Sequence, residues 1–285
     1  MNIEHLRAFL EVAATGSFQL AAEKMHITQS TTSARIKTLE DRLNQPLFVR
    51  KRNGAVLTSA GQQLHRHALT SVQAWERARQ EIALPEEMIG VYSLGIQLNH
   101  WDLVATPWMK LMRQRSPDIA TRVISDYSEA LMRKLRDGLL DIAVLYAPQQ
   151  RPNLVVRKYV EESIVLVTTL EGSIDHLNRP DYVFVDWGDN FREQHHLEFP
   201  AIALPHLSVG LGSVGLSHIL QHGGSGYFLY NMVKSNIESG QLQIVRNAPV
   251  FHHQTWLAYP EEPLDLTLHG TAMNMLQKIA LQLSD

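Results

Sequence analysis

Between residues 16 and 43, apolar positions recur at three- and four-residue intervals in two separate runs. Phe18, Ala21, Ala22 and Met25 share one face after Ser17, whose hydroxyl suits an N-cap, and they predict a short helix. His26-Ile27 closes a turn, and Thr28 offers a second N-cap. On the helix that follows, Ile36, Leu39 and Leu43 face inward, leaving Gln29, Ser30, Thr32, Ser33, Arg35 and Lys37 for other faces. A first turn so poor in large apolar groups suits the major groove, where amide, hydroxyl and guanidinium groups meet base edges or phosphates. Two surface helices of an ordinary helical domain, with these polar groups merely solvated, would show the same periodicity.

The next segment narrows that choice. Leu47-Phe48-Val49 predicts a short strand, Arg50-Lys51-Arg52-Asn53-Gly54 a basic turn, and Ala55-Val56-Leu57-Thr58 the returning strand. A basic hairpin tip beside a polar helix can grip the phosphate backbone. Here the chain resembles the LysR family of bacterial transcription regulators, whose N-terminal domain is a winged helix-turn-helix. The resemblance is carried by Leu6, Phe9, Ala21-Ala22, Thr28-Gln29-Ser30, Ser33, Ile36, Leu39-Glu40, Leu43, Leu47-Phe48-Val49-Arg50 and Leu57-Thr58-Ser59-Ala60-Gly61. Many members carry Arg directly after Ser33, whereas this chain has Ala34 there and Arg35 next. The resemblance implies double-stranded DNA as partner. The contacts expected are Ser17, Thr28, Gln29, Ser30, Thr32, Ser33, Arg35 and Lys37 from the helices, and Arg50, Lys51 and Arg52 from the wing. These parts define a DNA-binding domain over residues 1–59.

A third helical pattern covers 60–83, with Leu64, Ala68, Ser71, Trp75, Ala78 and Ile82 in a stripe too narrow for a globular core. It fits either a helix lying on its own domain or one that meets a partner helix. In the resembled family this linker helix dimerises, which implies Leu64, Trp75 and Ile82 as seam residues in a homodimer or homotetramer. A two-fold pair would set two reading helices roughly 34 Å apart. Pro85-Glu86-Glu87 reads as a hinge, so the linker covers 60–87.

From residue 90, β and α signals alternate. Strands at 90–97, 121–126 and 141–146 enclose helices at 103–115 and 130–136, the order that gives parallel strands with right-handed crossovers. Strand signals continue at 155–169, 182–187, 207–211, 242–245 and 255–259, with helices at 214–222, 230–238 and 266–283. The fold class is α/β behind a mainly α N-terminal winged helix-turn-helix. Asp137-Gly138-Leu139-Leu140-Asp141-Ile142-Ala143 and Gly223-Gly224-Ser225-Gly226-Tyr227 extend the resemblance. It implies an effector-binding domain over 88–285, two-lobed like a type 2 periplasmic solute-binding protein. Crossings near Glu161-Glu162 and at 260–263 would make lobe I residues 90–161 and 264–285, and lobe II 162–263. Trp187-Gly188-Asp189-Asn190-Phe191 is similar to the HdfR branch of the family.

Ligands of open parallel sheets bind beyond the carboxyl ends of the strands, where loop amides and helix N-termini converge. That rule selects Asn99, His100, Trp101, Tyr127, Ser128, Tyr146, Trp187 and Ser213, although packing or rim positions would explain several of them equally well. The chemistry suits a small neutral or aromatic molecule, or an anion held by helix N-termini.

Composition adds exclusions. The 285 residues, 45% hydrophobic, suffice for two or three domains with real cores. The formal charge of −3 hides a division: residues 1–58 carry net +3 and the remainder −6, a basic reader on an acidic body. With no cysteine, disulfides, thiolate nucleophiles and the thiol-based peroxide sensing of some LysR proteins are excluded. The first helix, with Glu4, His5, Arg7 and Glu11, lacks the basic start and apolar run of a signal peptide, and no stretch approaches the ~20 apolar residues of a membrane span. A cytoplasmic address without a membrane partner is expected.

His195-His196 and His252-His253 are sequence neighbours that point apart, so neither suggests a metal site. The glycines at 210–215 and 223–226 lack the lysine of a phosphate loop and the acid of a dinucleotide site, and read as turns between strand and helix. No G-x-S-x-G elbow occurs. No enzyme activity, metal or cofactor is expected. The reading is a sequence-specific DNA-binding transcription regulator sensing a small effector, with RNA polymerase as a further partner. The alternative, a two-lobed solute-binding protein without a regulatory role, is opposed by the N-terminal reader and the missing signal peptide.

Overall fold

The computed structural model describes residues 2–51, 54–82, 84–169, 180–200 and 205–284, with the side chains of Arg50, Gln80 and Ser284 outside the description. The chain divides into two units, Met1–Ile89 with Arg136–Leu139, and Gly90–Leu135 with Leu140–Asp285.

In the first unit, α1 (Ile3–Thr15), α2 (Phe18–Lys24) and α3 (Gln29–Leu43) each start on a side chain that accepts a backbone N–H, from Asn2, Ser17 and Thr28 respectively. These caps satisfy donors that the first helical turn leaves unpaired. Strands β1 (Phe48–Lys51) and β2 (Gly54–Leu57) pair from Phe48 with Leu57 to Lys51 with Gly54, and α4 (Ser59–Ile82) follows. Leu6, Phe9, Val12, Phe18, Ala21, Ile36, Leu39, Leu47 and Phe48 share one core, in which the Phe48 ring lies 5.4 Å from Phe9 and 5.7 Å from Phe18. Burying a side chain of this size stabilises by about 1.5–3 kcal/mol. Glu40 Oε1 accepts the Leu47 N–H at 2.8 Å and ties the hairpin to the end of α3. Leu43, expected to face inward, is instead 45% exposed, because the chain turns at Asn44 and Leu47 fills the core position beyond it.

The wing closes against the α1–α2 turn through a glycine. Gly54 sits at φ 135°, and a Cβ there would stand 2.4 Å from the Gly16 carbonyl oxygen. The next residue, Ala55, donates its N–H to that same oxygen at 2.7 Å.

In the second unit, β3 (Gly90–Ile96) lies between and parallel to β4 (Ile119–Ser125) and β5 (Ile142–Leu145). Between them run α5 (Thr106–Arg115) and α6 (Ser128–Arg136). The helix expected over 103–115 begins only at Thr106; a 3-10 turn, Leu98–His100, and one π turn, Trp101–Ala105, precede it. The long strand β6 (Leu154–Thr168) follows, then β7 (Tyr182–Val185), α7 (Asp189–Glu198), β8 (Leu207–Val209), α8 (Gly212–His222), β9 (Ser225–Leu229), α9 (Tyr230–Glu238), β10 (Gln243–Ile244), β11 (Phe251–Pro260) and α10 (Leu266–Ser284). The sheet order is β4-β3-β5-β11-β6-β9-β7-β8, with β10 beside β6.

Two parallel sets, β4-β3-β5 and β9-β7-β8, are thus joined by the antiparallel pair β6 and β11. Trp256–Ala258 of β11 pair with β5, whereas Phe251 pairs with Ile164 in the stretch of β6 that also pairs with β9. The register of β11 against β6 breaks between Gln254 and Trp256, and only the stretch beyond that break, Trp256–Ala258, also pairs with β5. Each parallel set has its own core, one around Trp108, Leu94 and Leu276 and the other around Trp187, Tyr227 and Phe228.

Two further elements departed from expectation. The strand Ser225–Leu229, buried throughout, was not expected, and the glycines at 223–224 make the helix-to-strand turn that leads into it. A strand covered on both faces shows no alternation to read. Helix α7 was not expected, since only Phe191 and His195 of its ten residues are buried.

Candidate functional site

In the first unit, α3 is locked from behind by Thr32, Ile36 and Leu39, all buried. Gln29, Ser30 and Lys37 are exposed and Ser33 half-buried, so an amide, two hydroxyls and an ammonium occupy the accessible face. Such groups can donate to and accept from base edges. Thr32 is not among them: it is fully buried, and its hydroxyl donates to the Thr28 carbonyl at 3.3 Å, at the spacing of one turn behind. Arg35 leans back to Glu4 of α1, Nη1 to Oε2 3.3 Å, and Glu4 also pairs with Arg7 at 2.7 Å.

Ser17 and Thr28 serve as caps. Ser17 Oγ accepts the Leu20 N–H at 3.3 Å, and Thr28 Oγ1 accepts the Thr31 N–H at 3.2 Å while lying 2.9 Å from Ser30 Oγ. Lys51 is exposed at the end of β1, and Arg50 precedes it on the same strand. Arg52, expected at the wing tip, lies outside the described residues.

The stripe on α4 splits. Ala68 and Val72 are buried and Leu64 packs beside them in the core of the same unit, so Leu64 is occupied within its own chain. Farther along, Trp75 is 49% and Ile82 86% exposed.

In the second unit the residues expected after the strand ends fall into distinct settings. The loop after β3 presents Asn99, whose Oδ1 accepts the Gly212 N–H at 2.8 Å and whose Nδ2 donates to the Gly210 carbonyl at 3.3 Å. One side chain therefore clips the β3 loop to the start of α8. His100, unexposed, holds Tyr146 Oη at 2.8 Å through Nδ1 and Glu162 Oε2 at 2.5 Å through Nε2. His253, the cross-strand partner of Glu162, packs edge-on to Tyr146 with ring centroids 4.2 Å apart.

Burial, with His100 nearby, holds His253 down to about 4, against the raising effect of Glu162. Burial and the Glu162 charge push the Tyr146 hydroxyl well up, so it stays a neutral hydrogen-bonding group. Glu162 Oε1 and His253 Nε2 are buried without a hydrogen-bond partner among the described residues.

The remaining expected residues do other things. Ser128 Oγ, at the start of α6, accepts from Gln97 Nε2 at 2.7 Å and from the Ala147 N–H at 3.2 Å. Trp101 packs on the core of the first parallel set, and Tyr127 is 81% exposed. Trp187, expected to face a ligand, is instead core: it is 1% exposed and donates Nε1–H to the Tyr227 carbonyl at 2.9 Å. Gly212 makes room for it, because a Cβ there would lie 2.6 Å from the indole ring. Ser213 is exposed on α8, beside a cavity of about 340 Å³ that it lines with Val214, Ser217, His218, Gln221 and His222.

Glu162 and His253 escaped the reading from sequence, though a signal existed. Val160, Glu162 and Ile164 share one strand phase, as do Phe251, His253, Thr255 and Leu257, and in each run a titratable group stands where alternation calls for an apolar one. Among the described residues no cluster of three or more His, Asp or Glu is placed to hold a metal ion, and no helix is long and apolar enough to cross a membrane.

Residues 3–62 match the family description "Bacterial regulatory helix-turn-helix protein, lysR family", and residues 86–277 match "LysR substrate binding domain". The HTH-type transcriptional regulator HdfR of Yersinia enterocolitica is 28% identical over 204 residues, covering 68% of this chain and 69% of that protein. The Yersinia pestis HdfR is 28% identical over 206 residues, 69% of this chain and 70% of its own. ArgP from Mycobacterium tuberculosis shares the fold, with TM-score 0.57 and 20% identity over 97% of this chain and 96% of that one. Vibrio fischeri DarR, solved in complex with DNA, gives TM-score 0.57 and 17% identity over 97% and 98%.

Proposed function

The chain belongs to the LysR family of bacterial helix-turn-helix regulators, and from that premise we propose that it reads a two-fold operator as a homodimer or homotetramer and couples this to a small molecule sensed by its C-terminal region. Residues 1–59 form the reader, 60–87 the linker that joins chains through Trp75 and Ile82, and 88–285 the sensor. The observation that carries the reading is the division of α3 into a locked face and an accessible one. Thr32, Ile36 and Leu39 fix its rotation, and Gln29, Ser30, Ser33 and Lys37 are thereby offered to a groove. Lys51 grips phosphate from the wing. The DNA complex of DarR, a protein of the same fold, supports this reading.

In the sensor, β6 and β11 link the two parallel sets as a pair of hinge strands, with lobe crossings near Glu161-Glu162 and at 260–263. Asn99 and the His100–Tyr146–Glu162–His253 cluster stand where the sets meet, and an effector bound there would bias their closure. The protein acts on DNA in the cytoplasm, meets RNA polymerase at its promoters and catalyses no reaction.

Binding of the full chain to a selected operator and to random duplex tests the reader. Gln29→Ala should cost about 1–3 kcal/mol on the operator and relax its preference, whereas Lys51→Ala should weaken both duplexes alike and reduce the salt slope by about one unit. Equal losses on both duplexes for both variants would overturn the proposal.

A further inference from the structure

We propose that Ala34 reads a thymine in each half-site by packing its methyl group against the C5 methyl of that base, and that Arg35 is a strut that fixes the helix and reads no base. The inference rests on α3 being the groove-entering helix. Opposite its buried face of Thr32, Ile36 and Leu39, the crest of α3 carries Ser30, Ala34 and Lys37, all exposed. In the first three turns every other position on the accessible side bears a hydrogen-bonding or charged group, and Ala34 alone presents a bare methyl.

Its neighbours do not supply the missing polarity. Thr38 turns its hydroxyl onto the helix, donating to the Ala34 carbonyl at 2.9 Å. The Arg35 guanidinium is held 3.3 Å from Glu4 on α1 and its side chain is 22% exposed, so it braces α3 from the core side.

Thymine is the one base that shows a methyl group in the major groove, and alanine is among its apolar partners. A side chain this short also lets the helix backbone approach closely, bringing Ser30 and Ser33 within reach of base edges. Ser30 and Ala34 are one turn apart, about 6 Å along the axis, which spans roughly two base-pair steps. The methyl contact should therefore fall about two steps from the base pair that Ser30 meets. Removing one buried methyl weakens binding about fourfold, by the value of a buried CH₂ group.

The experiment first selects preferred duplexes for the full chain from a random pool, then replaces each thymine of the preferred half-site with deoxyuridine, which lacks only that methyl. Fluorescence anisotropy should show one thymine per half-site at which deoxyuridine weakens the wild-type protein about fourfold. In Ala34→Gly this penalty should vanish, and Ala34→Ser, which disfavours the helix less than glycine does, should also lose it, guarding against a folding defect. Arg35→Ala should lower the melting temperature while leaving the base-preference profile unchanged. Indifference of the wild type to every deoxyuridine, or survival of the penalty in both Ala34 variants, would overturn the thymine contact while the selected operator still upholds the reader. A guanine preference lost in Arg35→Ala would overturn the strut. Failure to select any preferred duplex would overturn the groove reading and this inference together.

Discussion

His100 Nε2 and Glu162 Oε2 lie 2.5 Å apart with neither side chain exposed, joining the loop after β3 to the long strand β6. Each is the other's main compensation for lost hydration, and leaving one member of a buried pair alone costs about 3–5 kcal/mol. Glu162→Leu, which keeps the volume, should lower the unfolding free energy by that order, and adding His100→Leu should restore part of the loss. Urea titrations of the four proteins measure it; additive losses would mean the two groups do not interact.

A pH dependence follows from two buried imidazoles. Burial holds both His195 and His253 down to about 4, with His196 adding to the effect on His195 and His100 to that on His253. A folded-state value below the unfolded 6.5 means that the unfolded chain binds more protons between those limits. Stability is therefore full above pH 6.5 and is lost as the pH falls toward 4, at up to about 1.4 kcal/mol per unit for each group. His253→Gln should flatten the slope of unfolding free energy between pH 6.5 and 4, and an unaltered slope would rule His253 out.

Gly54→Ala should detach the wing. The added Cβ would collide with the Gly16 carbonyl oxygen, in a φ region that side chains rarely adopt, and would displace the Ala55 hydrogen bond to the same atom. A loss of about 1–3 kcal/mol is expected, together with weaker binding to every duplex. Unchanged melting and DNA affinity would show that the hairpin docks by other means.

Trp75→Glu separates assembly from folding. Half of the indole already meets solvent in the single chain, so a carboxylate there costs the fold little. In a helix-helix seam the same charge would be buried without a partner, at several kcal/mol. Sedimentation should find smaller species with an unchanged circular dichroism spectrum, and an intact oligomer would remove Trp75 from the seam.

Local signals specified the reader almost completely. Caps at Ser17 and Thr28, helical periodicity in α2 and α3, and the strand, turn and strand signals from Leu47 to Thr58 are short-range properties, and they leave Gln29, Ser30, Ser33, Lys37 and Lys51 outside the core. What they left undetermined was rotation and reach: Thr32 faces the core and Arg35 meets Glu4 because α1 packs across the back of α3. Parallel strands at 90–145 were likewise legible from their spacing. Of the polar cluster, His100 and Tyr146 were legible as residues beyond strand ends, whereas Glu162 and His253 were not, since the pairing of β6 with β11 sets them side by side and only the fold brings His100 and Tyr146 onto them. Trp187 was misjudged for the same reason, an aromatic ring at a strand end being equally suited to a ligand or a core until Gly212 and Tyr227 close over it. Sequence set the elements through backbone and side-chain preferences within a few residues of each other; the tertiary fold alone decided which polar groups would be buried together, because burial depends on what packs from the other side.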